Sequence, residues 1–308
     1  MIIYNSKDWF KAIRHFHQSY VIRLLGRRVL IYTLFATAVT AVHMEVHQLE
    51  FNVDGAFFSI LGILLSLLMV FRTNTAYDRY WEGRIQWGNL VNHSRNFAII
   101  MDAILAPEDK ANRQFFARMI SNFSLALKDH LRVGVQVESL YEADECTRED
   151  LIRYQHKPAR LSALIMRRVE YFHKNKTISG EDILNIKIHH QGFMDICGAC
   201  ERIRRTPIPF SYSFFIKLFI TLYVVFLPFV IVGALGWAAI PAAALGMYAL
   251  VGLEMIADEI EEPFGMDCND LPLGMFAQNI GVQVHEILQM PAPEGQSLII
   301  DKDYLKVH

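Results

Sequence analysis

The densest group of side chains capable of chemistry in this sequence is an acidic segment near the C-terminus, Asp258 to Asp270. Six carboxylates occur within its thirteen residues, interrupted by a Pro-Phe-Gly turn. Carboxylate oxygens are the ligands that hard cations such as Ca²⁺ prefer, so one hypothesis is a metal site formed by Glu259, Glu262, Asp267 and Asp270. The spacing does not match an EF-hand loop. The alternative is an acidic cap next to a membrane that pairs with nearby arginines.

Cysteine and histidine offer weaker signals. Cys197 and Cys200 form a CxxC pair, which can be redox-active or supply half of a zinc site, but it lies within a predicted helix and has no second pair to complete it. His189 and His190 are adjacent and therefore point in different directions on a helix. No nucleotide-binding or hydrolase motif occurs, which leaves an enzyme unsupported rather than excluded. We expect a protein that is not an enzyme and requires no cofactor.

A third pattern combines apolar and polar residues at helical spacing. Ile63, Leu67 and Phe71 lie four residues apart and form one stripe, which continues to Asn74 or Thr75 and then to Asp78. An apolar stripe that runs into a polar one is typical of a pore-lining helix. It is also typical of an ordinary buried helix.

The elements that carry these residues follow from composition. The chain has 308 residues, 53% hydrophobic and 20% charged, with a formal net charge of −2. This balance fits a few membrane helices with a sizeable soluble portion, and it gives no electrostatic reason to expect nucleic acid as a partner.

Three long uncharged runs indicate the membrane helices: 29–42, 56–71 and 218–253. The last is too long for one span, and the stretch from Gly233 to Pro241 predicts a break that makes it a helical hairpin. Lysines and arginines flank the first pair of spans, whereas the loop 43–54 has none. The positive-inside rule then predicts four spans in the inner membrane with both termini in the cytoplasm.

Between the spans, helical periodicity predicts a cytoplasmic helical domain, with an N-cap at Ser179 and a helix that ends near Arg205. Pro207 and Pro209 then return the chain to the bilayer. We divide the chain into a basic interfacial segment (1–28), a first helix pair with the pore helix (29–83), the helical domain (84–210), a second pair (211–257) and an acidic tail (258–308).

Three motifs in this order resemble the bestrophins, in their bacterial branch: Arg79-Tyr-Trp81 after the second run, RRTPIPFSY at 204–212 and EPFGMDCND at 262–270. The resemblance covers most of the chain. It implies an all-α membrane protein that assembles as a homopentamer around a central pore, in contact with membrane lipids.

The resemblance also implies roles for particular residues. It places the family's hydrophobic neck on Ile63, Leu67 and Phe71, the stripe found from spacing, and Ile178 is a candidate for its second, cytoplasmic aperture. Asp267 and Asp270 match acidic positions of the metazoan calcium clasp, but Met266, Cys268 and Asn269 replace oxygen donors. We therefore expect this degenerate clasp not to gate the protein with calcium.

The permeant ion is the open question. Asp78 would place a ring of negative charges at the inner mouth, and bacterial bestrophins are described as passing monovalent cations, so we expect a sodium-like cation. Arg72 and Arg79 would favour anions if they faced the lumen; otherwise we expect them to bind headgroups or to stack on Tyr80 and Trp81. The alternatives are an anion channel of the same family and a non-conducting, membrane-anchored interaction protein.

Overall fold

The computed structural model describes residues 2–3, 20–46, 55–143, 145–267, 269–291 and 305–306. Within these ranges the regular secondary structure is helical, apart from two strands of two residues, β1 (Ile2–Ile3) and β2 (Leu305–Lys306), which pair antiparallel. Most of the predicted interfacial segment 1–28 and of the predicted loop 43–54 lies outside these ranges.

The helices of the described ranges confirm the all-α fold. In chain order they are α1 (Tyr20–Glu45), α2 (Gly55–Ile104), α3 (Lys110–His130), α4 (Arg148–Ile152), α5 (Lys157–Lys174), α6 (Gly180–Arg205), α7 (Phe210–Leu235), α8 (Ala239–Glu261) and α9 (Leu273–Ile287), with short 3₁₀ helices at Val137–Ser139 and Gly236–Ala238.

Three segments of the described chain are long and apolar enough to cross a membrane: Leu24–Glu45, Gly55–Ile104 and Phe210–Glu261. The third contains both α7 and α8, joined by the 3₁₀ helix. Gly236 ends α7 with a φ of 54°, a conformation that favours glycine. The predicted break is therefore confirmed, whereas the count of four spans stays a prediction.

Helix α2 is the structural axis of the chain. Its 50 residues are continuous, which gives a length of about 75 Å at 1.5 Å per residue. A bilayer's hydrocarbon core is only about 30 Å thick, so a large part of α2 extends beyond any membrane that its apolar end crosses. The helix continues without a break through residue 84, the predicted boundary between the membrane part and the helical domain.

Two hydrophobic cores lie along α2. The smaller contains Leu65 and Met69 of α2 with residues of α1, α7 and α8. The larger contains Trp87, Leu90 and Phe97 of α2 with residues of α3, α5, α6 and α9. Because one rigid helix contributes to both cores, it fixes the apolar helices relative to the helical domain.

The connection between the two parts is set by local signals. The Ser179 hydroxyl accepts the N–H of Asp182 at 3.1 Å, and the Asp182 carboxylate accepts the N–H of Ser179 at 2.9 Å. This capping box confirms the predicted start of α6. The helix ends at Arg205, and α7 begins at Phe210 directly after the second proline, as predicted for the return to the bilayer.

Candidate functional site

The predicted neck residues lie on one exposed face of α2. Ile63, Leu67 and Phe71 are 70%, 53% and 54% exposed in the single chain, whereas Leu65 and Met69 are buried. The stripe is therefore turned away from the chain's own core. A large exposed apolar surface on a helix needs lipid, another protein surface or a narrow pore beside it.

The same face changes from apolar to polar within one helical turn. Asn74, Thr75 and Asp78 follow Phe71 on this side of the helix, and all three are exposed. Phe71 lies roughly 24 Å along α2 from Gly55. The change in polarity therefore falls near the depth at which the helix would leave the hydrocarbon core.

Arg72 lies on the buried side of α2 and is 0% exposed. Its guanidinium Nη2 is 2.7 Å from Asp258 Oδ1, its Nη1 is 2.7 Å from Glu261 Oε2, and its Nε is 3.5 Å from Glu254 Oε1. A buried charge is tolerated when it is paired in this way. These ion pairs join α2 to α8.

Two further contacts extend this group, which we call the charged collar: Arg72, Lys217, Glu254, Asp258 and Glu261. Lys217 of α7 places its Nζ 2.6 Å from Asp258 Oδ2. Glu261 Oε1 accepts the backbone N–H of Ile208 at 2.8 Å. The collar thus holds α2, α7, α8 and the segment between α6 and α7 together.

Sequence reasoning proposed an acidic cap that pairs with arginines, but it missed Glu254 and the choice of Arg72 as the partner, although a signal was present. Glu254, Asp258 and Glu261 are spaced four and three residues apart, which places them on one face of α8. Carboxylates at the end of an apolar helix usually pair with a cation on a neighbouring helix. Arg72 is such a cation, because it directly follows the uncharged run 56–71.

Arg79 binds backbone carbonyls, rather than facing a lumen, binding headgroups or stacking on aromatic rings. Its Nε donates to the carbonyl of Glu261 at 3.0 Å, its Nη2 donates to that of Ile203 at 2.7 Å, and its Nη1 donates to that of Thr206. The last carbonyls of a helix lack intrahelical hydrogen-bond donors. Arg79 supplies donors to such carbonyls at the end of α6. Trp81 stacks on Tyr77 instead.

The structure therefore corrects the roles expected for Arg72 and Arg79. Neither guanidinium is free to face a lumen, since both are engaged within the chain. Asp78, by contrast, is exposed on the same face as the neck residues. Of these three charged residues, only Asp78 is exposed on the face that carries the predicted neck, and its place at a pore mouth stays a prediction.

The acidic segment divides between two environments. Asp258 and Glu261 pair with Arg72, in agreement with the alternative of a cap that binds arginines. The proposed metal ligands Glu259, Glu262, Asp267 and Asp270 do not form a cluster of three or more close donors within the described residues. The structure thus brings the arginine-binding carboxylates together, whereas the calcium-clasp hypothesis stays untested.

Asp270 is nevertheless unusual, because it is 2% exposed. Its Oδ2 accepts the N–H of Asp267 at 2.6 Å. Burial raises the pKa of Asp270 to about 6, although this hydrogen bond opposes the shift. Glu259 accepts a hydrogen bond from the amide of Asn269 at 3.0 Å, so two of the four proposed ligands serve the turn itself.

The aperture candidate Ile178 is buried in the single chain. Its side chain is 4% exposed and belongs to the larger core, which does not favour a lumen-lining role, and the aperture assignment stays a prediction. Leu184 and Ile188 of α6 are the next large apolar side chains along the chain that are exposed, at 63% and 60%.

The cysteine pair has the properties of core residues. Cys197 and Cys200 are fully buried on α6. Burial raises the pKa of the Cys197 thiol to about 12 and also raises that of Cys200. Because the thiolate is the reactive form, the structure favours a packing role over redox chemistry.

Comparison with known proteins identifies the family. Residues 1–286 match the model of a family described as "Bacterial/Fungal Bestrophin protein". The chain belongs to the bacterial and fungal bestrophins. The resemblance inferred from the three motifs is thereby confirmed.

Two relatives of this bestrophin are voltage-dependent anion channel-forming proteins by name. The one from Synechocystis is 32% identical over 281 residues, covering 89% of this chain and 90% of the relative. The YneE protein of Escherichia coli is 32% identical over 300 residues, covering 95% and 96%. Both names describe channel formation rather than catalysis, which agrees with the expectation that this chain is not an enzyme.

The fold has solved counterparts. The crystal structure of a bacterial bestrophin homologue from Klebsiella pneumoniae is 24% identical, with a TM-score of 0.80, and the match covers 86% of this chain and 98% of that one. Family membership and the apolar helices together indicate a membrane protein.

Proposed function

We propose that this bestrophin forms an ion channel whose narrowest apolar section is lined by Ile63, Leu67 and Phe71. The observation that supports the proposal most directly is the exposed face of α2, which is apolar through Phe71 and polar from Asn74. This face belongs to a helix whose opposite side is fixed by two cores and the charged collar. A pore lining requires such a rigid support.

Five copies of the chain would surround the pore, with α2 of each copy at the axis. A ring of apolar side chains resists ions because an ion entering it must shed water and finds no protein oxygen in exchange. Widening the ring lowers this cost. We assign the four-span topology in the inner membrane, with lipid around α1 and α7 and both termini in the cytoplasm, to the same proposal.

For the permeant ion we favour anions. The relatives are named as anion channel-forming proteins, and this departs from the cation preference expected from the sequence. A monovalent cation such as sodium is the second candidate. The observation in its favour is the exposed carboxylate of Asp78, whose nearest basic neighbours along α2, Arg72 and Arg79, are engaged inside the chain.

The neck is tested by shortening one side chain. We expect Leu67→Ala to raise the single-channel current in planar bilayers, because it removes apolar bulk from the ring. Leu34→Ala is the matched control: Leu34 of α1 is 66% exposed and apolar, but it lies on a helix that we assign to lipid. Equal currents in the Leu67→Ala variant, the control and the wild type would overturn the neck assignment.

The sign of the ion is tested by reversal potentials in asymmetric NaCl. Anion conduction shifts the reversal potential toward the chloride equilibrium value, and cation conduction shifts it toward the sodium value. If cations pass, Asp78→Asn should reduce the preference, because it removes a negative charge from the mouth of each subunit. Absence of any ion flux from reconstituted liposomes would instead favour the membrane-anchored interaction protein.

A further inference from the structure

Two histidines from different elements of the helical part converge on one carboxylate oxygen of a third residue. His130 is the last residue of α3, His156 directly precedes α5, and Glu201 lies near the end of α6. The Nε2 atoms of His130 and His156 are 2.5 Å and 2.9 Å from Glu201 Oε1. The ligand-capable atoms of all three residues lie within 4.8 Å of one another.

We propose that His130, His156 and Glu201 bind a divalent transition-metal ion, for which Zn²⁺ is the best fit. Two imidazole nitrogens and one carboxylate oxygen form a borderline donor set that suits Zn²⁺ and its neighbours rather than Ca²⁺ or Mg²⁺. The argument for this site uses no feature of the proposed pore, so its test does not depend on the channel proposal.

The geometry requires little rearrangement. Metal–ligand distances of about 2.0–2.1 Å in a tetrahedral site place neighbouring ligand atoms about 3.3 Å apart. The two observed nitrogen–oxygen separations are 2.5 Å and 2.9 Å, so each lengthens by less than about 1 Å when the metal replaces the shared hydrogen bonds. Small side-chain rotations supply such a movement.

The site is reachable from solvent. The side chains of His130, Glu201 and His156 are 18%, 19% and 37% exposed. Three protein ligands leave a fourth position for water, which is typical of exchangeable rather than purely structural zinc. Arg204 donates to the carbonyl of His130 at 2.6 Å, and this nearby positive charge leads us to expect micromolar rather than nanomolar affinity.

Metal binding would also change the start of α5. His156 Nδ1 accepts the N–H of Ala159 at 3.1 Å, which places the proton of this imidazole on Nε2, facing Glu201. When a metal takes Nε2, that proton moves to Nδ1 and the cap bond to Ala159 is lost. The site thus couples an ion to the N-terminus of a helix.

The test is calorimetric titration of ZnCl₂ into the full-length protein in detergent, with a purification tag that contains no histidine. We expect one saturable site per chain, and loss of affinity on the order of 10-fold or more in His130→Gln, His156→Asn and Glu201→Gln. His156→Asn is the sharpest variant, since asparagine keeps the N-cap but lacks the Nε2 ligand. His173→Asn is the matched control and should bind like the wild type.

Two results would overturn the site: no saturable Zn²⁺ binding in the wild type, or unchanged affinity in the three ligand variants. Thermal unfolding without metal checks that each variant is folded, and zinc X-ray absorption of the loaded wild type reports the ligands directly. Two imidazoles with oxygen neighbours support the proposal. Sulfur neighbours would contradict it, because they would place the ion on cysteine.

Discussion

At the residue scale, the surroundings of a charged side chain decide what it does. Arg72 and Asp78 lie six residues apart on α2, and from the sequence both are candidates for a pore mouth. Arg72 is fully buried among carboxylates, whereas Asp78 is exposed beyond Phe71. Helical spacing shows that the two side chains point in different directions, but it does not show which side of α2 packs against another helix.

A buried histidine gives a prediction at the same scale. His285 of α9 is 2% exposed, and its Nδ1 donates to the carbonyl of Gly281 at 2.8 Å. Burial lowers the pKa of His285 below its ordinary value of 6.5, so the unfolded chain binds a proton that the folded chain does not. The stability that this histidine contributes is complete above pH 6.5 and is lost as the pH falls below it.

We expect His285→Asn to reduce the fall in stability between pH 7 and pH 5.5. Asparagine retains a donor for the Gly281 carbonyl but does not titrate, and one proton accounts for at most about 1.4 kcal/mol per pH unit. Denaturant unfolding of both proteins across this range measures the slope. Identical slopes in the variant and the wild type would contradict the assignment.

At the element scale, the charged collar connects α2 to the second apolar hairpin in addition to the smaller hydrophobic core. Three carboxylates of α8 surround one guanidinium of α2. Removing one partner of a buried ion pair leaves the remaining charge buried without compensation. The resulting loss of stability is larger than the net stabilisation that the intact pair provides. The collar therefore helps to hold α2 against α8.

We expect Arg72→Met to lower the free energy of unfolding by about 3–5 kcal/mol. Arg148→Met is the matched control, because Arg148 makes a 3.5 Å pair with Glu142 on the surface, where both side chains are largely exposed. A surface pair contributes less than about 1 kcal/mol. Unfolding curves in detergent compare the two variants, and effects of equal size would show that the collar does not stabilise the fold.

Elements whose ends depend on local chemistry were predictable from the sequence. The capping box at Ser179, the prolines after Arg205 and the glycine at 236 each act within one or two turns of the chain, and the structure confirms all three boundaries. The continuous course of α2 past residue 84 was not predicted. A change in composition marks where the surroundings of the chain change from apolar to polar, but a helix can continue across such a boundary without a break.

At the scale of the whole molecule, a single chain leaves large apolar surfaces uncovered. Large apolar residues are exposed along α1, α2 and α7 together, among them Leu34, Leu67 and Phe214. Lipid can cover some of these faces. The proposed axis shared between subunits would account for the face that turns polar beyond Phe71.

We expect the purified protein to have a mass of about 178 kDa without detergent, five times the 35.5 kDa of one chain. Native mass spectrometry measures this directly. With Cys268→Ser as background, Leu67→Cys should form oxidative crosslinks between subunits, because all copies of this residue meet at the axis. Leu34→Cys, facing lipid, should not. A monomer, or equal crosslinking of the two variants, would contradict the pentameric pore.

The sequence by itself determined the helical fold, the apolar segments, the hairpin break and the family, because periodicity, capping and turn chemistry act over short distances along the chain. It also defined the stripe of Ile63, Leu67 and Phe71, since spacing alone defines a helix face; their role as a neck stays a prediction. Only the tertiary structure decided that Arg72 is buried in the charged collar, that Ile178 belongs to the core, and that His130, His156 and Glu201 meet. These residues lie tens of residues or more from their partners, and only packing brings such distant segments together.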